Sequence, residues 1–266
     1  TNTLPVASSV SIDSAAASIN LTEGTTKSVS CAATVTDDDG YSDITTVAAK
    51  FYRTAVGAGA GDDNSNHYTL SGSKETYCSG SGTSGTCTFS FSVQFYADPT
   101  DAGSAYESDT WTCQVTPSDS DGAGTAATDT IEMTTLTALS VTSSINYGTL
   151  SPGNDTGSGD TTTTVTNTGN NQIDIQLDGY GSVNGDGYAM VCTIGNFALS
   201  YERYSTSAST AWSSKTQLTD TATTLSSFNL AKGASSTKAV YWGLGLPSTG
   251  VGGTCTGKIN FTSISG

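Results

Sequence analysis

Acidic side chains in two short phrases carry the clearest chemistry in this 266-residue sequence. Asp37, Asp38, Asp39 and Asp43 crowd the stretch TVTDDDGYSDI, and Asp119 and Asp121 fall in PSDSDG. Each phrase holds a glycine, Gly40 or Gly122, that frees the backbone for a tight turn. Carboxylates this dense repel one another unless a cation joins them, and Ca2+ takes six to eight oxygen ligands at ~2.3–2.6 Å. If their loops meet, the six aspartates are expected to form a metal site for Ca2+. The D-x-D-G fragment lacks the closing glutamate of an EF-hand loop, which excludes that motif. Asp62, Asp63, Asp98 and Asp101 make a second, sparser acidic set at the other end of the same strands.

Catalytic groupings are missing from the pattern. His67 is the only histidine and lies in the Gly/Asn-rich loop AVGAGAGDDNSNHY, where it reads as an exposed loop residue. No G-x-S-x-G, H-E-x-x-H or Gly-rich phosphate loop occurs, so an enzyme and an organic cofactor are not expected. A sugar site is the other binding chemistry in view, because aromatic faces on a sheet stack on sugar rings. Tyr201, Trp212 and Trp242 are its candidates. Tyr241 and Trp242 are adjacent in a strand and must face opposite sides, so only one of them is core.

A formal net charge of −15 removes the cationic surface that nucleic acid and anionic membranes require. The charge is uneven: residues 1–137 hold 17 acids and 4 bases, residues 138–266 hold 7 acids and 5 bases. Divalent cations are the natural partners of the first half. No apolar run is long enough to span a membrane.

Six cysteines, none in a CxxC or Cys/His cluster, point to disulfides and an oxidising compartment rather than to zinc. Six allow fifteen pairings. The favoured set is Cys31–Cys113 across one sandwich, Cys78–Cys87 within a hairpin, and Cys192–Cys255 in the second half. Sequons at Asn20, Asn154 and Asn260 make glycosylation an expectation for exposed loops. The termini TNTLPV and FTSISG read as those of a secreted chain after signal-peptide removal, extracellular or at the cell surface.

The elements that position these residues are strands. Ser, Thr, Gly and Asn dominate, charged residues are only 12%, and short Thr/Val/Tyr runs are separated by Gly, Asn and Asp. Lys27–Thr36, Ile44–Arg53, Thr86–Tyr96, Thr110–Thr116 and Thr125–Leu136 read as strands of the first half. Residues 97–109 form a long connection with one helical turn. Thr137–Ser144 is a linker. In the second half, 160–181 reads as a hairpin around Gly169–Asn171, and Tyr188–Cys192, Phe197–Tyr204, Thr221–Leu230, Thr237–Leu244 and Thr254–Ile264 as further strands. About seven strands are expected before the linker and about eight after it.

Asp109, Trp111 and Cys113 match the D-x-[Tyr]-x-C pattern of immunoglobulin-like domains, with Trp in the Tyr position. Phe51 and Tyr52 stand where antibody domains carry a Trp. With TVTDDDGYSDI, WTCQVTPSDSDG and the N-T-G-N phrase, the chain resembles secreted prokaryotic Ig-like or cadherin-like two-domain surface proteins, a family of poorly defined function. The resemblance implies an all-β fold of two immunoglobulin-like β-sandwich domains in tandem, 1–137 and 138–266. In that order the loops holding Asp37 and Asp119 emerge at one end.

The expected role is an extracellular structural protein, the self-assembling subunit of a surface filament, pilus-like fibre or surface layer, with copies of itself as partners. Thr3, Leu4, Val6, Val10 and Ile12 form the candidate assembly strand, able to complete a neighbour's sheet. The alternative is a soluble adhesin or carbohydrate-binding module that binds cell-surface glycans.

Overall fold

A computed structural model describes residues 2–225 and 227–266. The regular structure of the chain is almost entirely β-strand, and it divides into two compact units, Thr1–Leu136 with Gly169–Asn171 and Thr137–Thr168 with Gln172–Gly266. Asn170 explains why its turn groups with the first unit. Its backbone N–H donates to Leu136 O at 3.0 Å, its Nδ2 to Thr134 O at 3.0 Å, and its Oδ1 accepts from Leu136 N at 2.6 Å.

The first unit contains β1 (Val6–Ile12), β2 (Ser18–Ile19), β3 (Lys27–Thr36), β4 (Thr46–Arg53), β5 (His67–Ser73), β6 (Cys78–Ser81), β7 (Ser84–Val93), β8 (Trp111–Ser118) and β9 (Ala127–Met133). Their sequences alternate, and so does their burial: in β7 every second residue from Gly85 to Val93 is buried. The central strands β3, β7 and β8 therefore offer one apolar face, and two sheets close over the core. The sheet orders are β1-β3-β7-β6 and β2-β9-β8-β4-β5. These are the ABED and GFC sheets of an immunoglobulin-like sandwich, with β5 added beside C and the short β2 beside G.

Cys31 on β3 is bonded to Cys113 on β8, joining the two sheets with Cα atoms 6.5 Å apart. Phe51, Phe89, Trp111, Ile12, Ile19 and Met133 are fully buried around it. Burial of each such side chain contributes about 1.5–3 kcal/mol. Cys78 faces Cys87 across β6 and β7 and is bonded to it.

Three sequence expectations need correction here. The candidate assembly strand is spent inside its own unit: Val6–Ile12 pairs antiparallel with β3 from Val6↔Thr36 to Ile12↔Cys31, and Ile12 is core. Thr3 and Leu4 precede that strand, and Val10 is half-buried against the core. The helical turn lies at Lys74–Tyr77, whereas 97–109 holds only turns and bends. His67 is buried rather than exposed, because it opens β5 and stacks on Tyr52 with ring centroids 5.7 Å apart.

The second unit contains β10 (Leu139–Val141), β11 (Thr161–Asn167), β12 (Ile173–Tyr180), β13 (Tyr188–Ile194), β14 (Asn196–Ala198), β15 (Glu202–Ser205), β16 (Thr216–Gln217), β17 (Thr223–Thr224), β18 (Thr237–Leu244), β19 (Gly252–Thr256) and β20 (Lys258–Ser265). They form sheets β10-β11-β18-β15-β16, β17-β12-β20 and β14-β13-β19. Val165, Ile173, Ile175, Leu177, Val240 and Trp242 fill the core. Cys192 and Cys255 are directly opposed on β13 and β19 and bonded.

The expected hairpin at 160–181 does not form. β11 and β12 belong to different sheets, so Gly169–Asn171 carries the chain across the sandwich. Both strands alternate buried and open residues, a pattern that fixes one inward face but not which sheet the strand joins. The strand expected over Thr221–Leu230 shrinks to Thr223–Thr224. Among the described residues no helix is long and apolar enough to cross a membrane.

Candidate metal centre

The disulfide-linked strands β3 and β8 deliver two aspartates to one end of the first unit. Asp37 is the residue after β3, and Asp119 is the residue after β8. Asp43 sits in the loop between β3 and β4. One carboxylate oxygen from each of the three lies within 4.8 Å of the others.

Backbone hydrogen bonds fix the loops. Asp37 N donates to Thr83 O at 3.0 Å, Gly40 N to Asp37 O at 3.1 Å, and Asp43 N to Gly40 O at 2.9 Å. Gly40 has φ +120°, a conformation side chains resist, so the turn needs glycine here. The buried Lys74 reaches the same loop, donating from Nζ to the carbonyls of Tyr41 and Ser42, both at 2.8 Å. In the second loop Asp119 Oδ1 accepts from Asp121 N at 2.8 Å and Gly122 N at 3.0 Å.

Asp37 is 2% exposed, yet its Oδ2 accepts no hydrogen bond, and the buried Oδ2 of Asp43 is equally unpartnered. Among the described residues no Lys or Arg forms an ion pair with Asp37, Asp43 or Asp119. The Asp43 carboxyl is held above the ordinary carboxylate range, first by desolvation and then by the charges of Asp37, Asp119, Asp39 and Asp121. Among the described residues the three carboxylates therefore converge without a Lys or Arg paired to any of them.

The other three aspartates expected in the site stand apart. Asp38, Asp39 and Asp121 are exposed on the loop surfaces, outside the converging set. Asp39 N donates to Asp37 Oδ1 at 2.9 Å, a tight turn that leaves Asp38 and Asp39 on the outside. Asp39 instead accepts from Thr3, from N at 2.6 Å and Oγ1 at 2.5 Å, and these bonds lower its pKa. Asn2 Nδ2 likewise donates to Asp119 Oδ2 at 3.0 Å. The segment before β1 is therefore tied to both acidic loops, a link that no local pattern signals.

The second acidic set is already neutralised or committed. Arg53 Nε reaches Asp98 Oδ2 at 2.9 Å and its Nη1 reaches Asp109 Oδ2 at 2.7 Å. Asp101 accepts from Thr135 N and Oγ1. Asp62 Oδ1 lies 3.0 Å from His67 Nδ1, and Asp63 Oδ1 accepts from Ser65 N.

Of the sugar-stacking candidates only Trp242 is closed off from solvent. Trp242 is fully buried and donates from Nε1 to Thr163 Oγ1 at 2.9 Å, because its strand face is the one turned to the core. Trp212 is half-buried, covered by the Arg203 guanidinium 4.2 Å above its ring and stacked on half-buried Tyr201 at 6.5 Å. Of the sequon asparagines, Asn20 and Asn154 are exposed. Asn260 is half-buried within β20, and its Nδ2 donates to Asp178 Oδ1 at 2.6 Å, so the atom that would carry a glycan is engaged.

No family model matches the chain, and no curated protein matches it. Among solved structures it is similar to the complex of a chaperone with a tip adhesion subunit, CsuC–CsuE, from the archaic chaperone-usher Csu pili of Acinetobacter baumannii. Identity is 10% and the TM-score 0.41, with 92% of this chain and 96% of that chain covered. It is also similar to red sea bream transglutaminase at 12% identity and TM-score 0.24, spanning only 29% of that chain. At this level of likeness neither neighbour's role passes to the present chain. The three disulfides mark an oxidising, extracellular or periplasmic setting.

Proposed function

We propose that this chain is an extracellular structural protein that assembles with copies of itself into a surface filament, pilus-like fibre or layer. The observation that supports this reading is the edge strand β20. It runs for eight residues and is hydrogen-bonded to β12 alone among the named strands, so it ends its sheet. Lys258 is its only charged residue, at one end. An edge of this length, roughly 27 Å at ~3.4 Å per residue, invites pairing unless it is charged, bulged or covered. Beside it opens a cleft of about 410 Å³ lined in part by Val141, Ile145, Met190, Ile259 and Phe261. An extended segment of another copy could add to β20 and set its side chains in that cleft. By contrast β1 is paired to β3 and also bridged to Thr125, which leaves it less free to exchange.

The test is negative-stain microscopy of the purified chain beside the variant Thr262→Lys with Ile264→Lys, which charges the edge. Regular polymers formed by the natural chain and lost in the variant are expected. Dispersed single particles, closed dimers, or polymers that survive the variant would overturn the proposal.

A further inference from the structure

The strongest unassigned chemistry lies at the other unit, in the three converging carboxylates. We propose that Asp37, Asp43 and Asp119 bind one Ca2+ ion, which joins the β3–β4 loop to the loop after β8. This goes beyond the assembly reading and is independent of it.

Geometry comes first. Two oxygens on one Ca2+ at ~2.3–2.6 Å can be no further apart than roughly 5 Å. The three carboxylate oxygens, mutually within 4.8 Å, fit a single coordination shell. The second observation is independent of clustering. Asp37 is 98% removed from solvent by its 2% exposure, and its Oδ2 has no donor; the same is true of the buried Oδ2 of Asp43. A buried carboxylate oxygen left without a donor is costly, and native structures rarely leave one so. Two of them in one cluster, with no Lys or Arg paired to either among the described residues, suit a bound cation.

The donor set selects the ion. All three ligands are hard oxygens, with no His or Cys, which favours Ca2+ or Mg2+ over zinc or copper. Mg2+ demands a near-ideal octahedron at ~2.0–2.1 Å and keeps several waters, whereas Ca2+ accepts irregular loop ligands at longer range. Three ligands drawn from two loops of different lengths suit Ca2+.

The experiment uses the full chain, stripped with a chelator and dialysed, then titrated with CaCl2 by calorimetry and followed by thermal melting. One ion per chain is expected, with a melting rise on the order of 10 °C for the first unit at a hundredfold excess over Kd. Asp43→Asn should weaken binding at least tenfold while raising the melting temperature of the ion-free protein, because it removes repulsion. Asp37→Asn should also abolish the response; if it fails to fold, Asp43→Asn decides alone. Absence of heat and of a melting shift in the natural chain would overturn the proposal, as would an undiminished shift in Asp43→Asn. An equal response to MgCl2 would overturn the assignment to Ca2+. None of these readouts depends on polymer formation, so this site and the edge at β20 stand or fall separately.

Discussion

Phe51 stacks on Trp111 with ring centroids 4.8 Å apart, beside the disulfide that joins the sheets of the first unit. Phe51 is in register with Cys113 on the neighbouring strand, and its ring also meets Phe91 of the opposite sheet at 5.6 Å. One side chain thus touches both sheets at the centre of the core. Phe51→Ala should cost about 3–5 kcal/mol, by lost transfer energy plus the cavity left behind. Urea unfolding monitored by Trp111 fluorescence would show the midpoint fall; a loss below about 1 kcal/mol would mean that the core closes over the gap.

The disulfides should differ in worth according to the loops they close. Cys31–Cys113 spans 82 residues and Cys78–Cys87 spans 9. Loop entropy assigns roughly 4–5 kcal/mol to the first and roughly 2–3 kcal/mol to the second. Paired Cys→Ala replacements at each bridge, compared by urea midpoint, should rank in that order. Equal losses would show that native packing, not the unfolded chain, sets the difference.

Glu202 makes the second unit sensitive to pH near neutrality. It is 2% exposed, burial raises its pKa to about 7, and Tyr147 donates to its Oε1 at 2.7 Å. A carboxyl that is harder to ionise when folded adds stability below its unfolded pKa of 4.5, and that stability is lost as pH rises through about 7. The decline should approach about 3 kcal/mol for one proton over this window. Glu202→Gln should flatten it. Melting curves from pH 4 to 8 that are parallel in both proteins would refute the assignment.

Arg53 should be the costliest charged residue to remove from the first unit. It holds Asp98 and Asp109 and lies 4.0 Å above the Tyr106 ring. Arg53→Ala leaves a buried acidic pair without its cation, a loss of about 3–5 kcal/mol. Added CaCl2 should not restore the melting temperature, since Asp98 and Asp109 are shaped around a guanidinium fork. Full rescue by Ca2+ would mean that this end also takes an ion.

The sandwich of the first unit was legible because its strands alternate and because Trp111 and Cys113 mark the strand facing Cys31. The end of the unit where Asp37 and Asp119 meet followed from that order. Which aspartates turn inward did not, since DDDG offers three neighbouring carboxylates and only backbone geometry separates Asp37 from Asp38 and Asp39. Asp43 enters the cluster through a turn closed at Gly40, and Lys74 supports that turn at Tyr41 from 33 residues away, beyond any local pattern. In the second unit, alternation marked the inward faces of β11 and β12, but the sheet each joins depends on long-range pairing with β18 and β20. Adjacency of Tyr241 and Trp242 tells that one ring is buried without telling which, and it is Trp242 that the core takes.

The Cys31–Cys113 bond also governs how the first unit behaves under tension. Force drawn along the chain passes straight through the sulfurs, so the 82-residue separation between them cannot lengthen. At ~3.4 Å per extended residue, contour on the order of 280 Å stays locked inside the loop. Pulling can draw out only the residues before Cys31 and those after Cys113, and β1 with its neighbours at Thr125 is the part that peels. A stretched copy of this protein would give way as a short tether with its centre still closed.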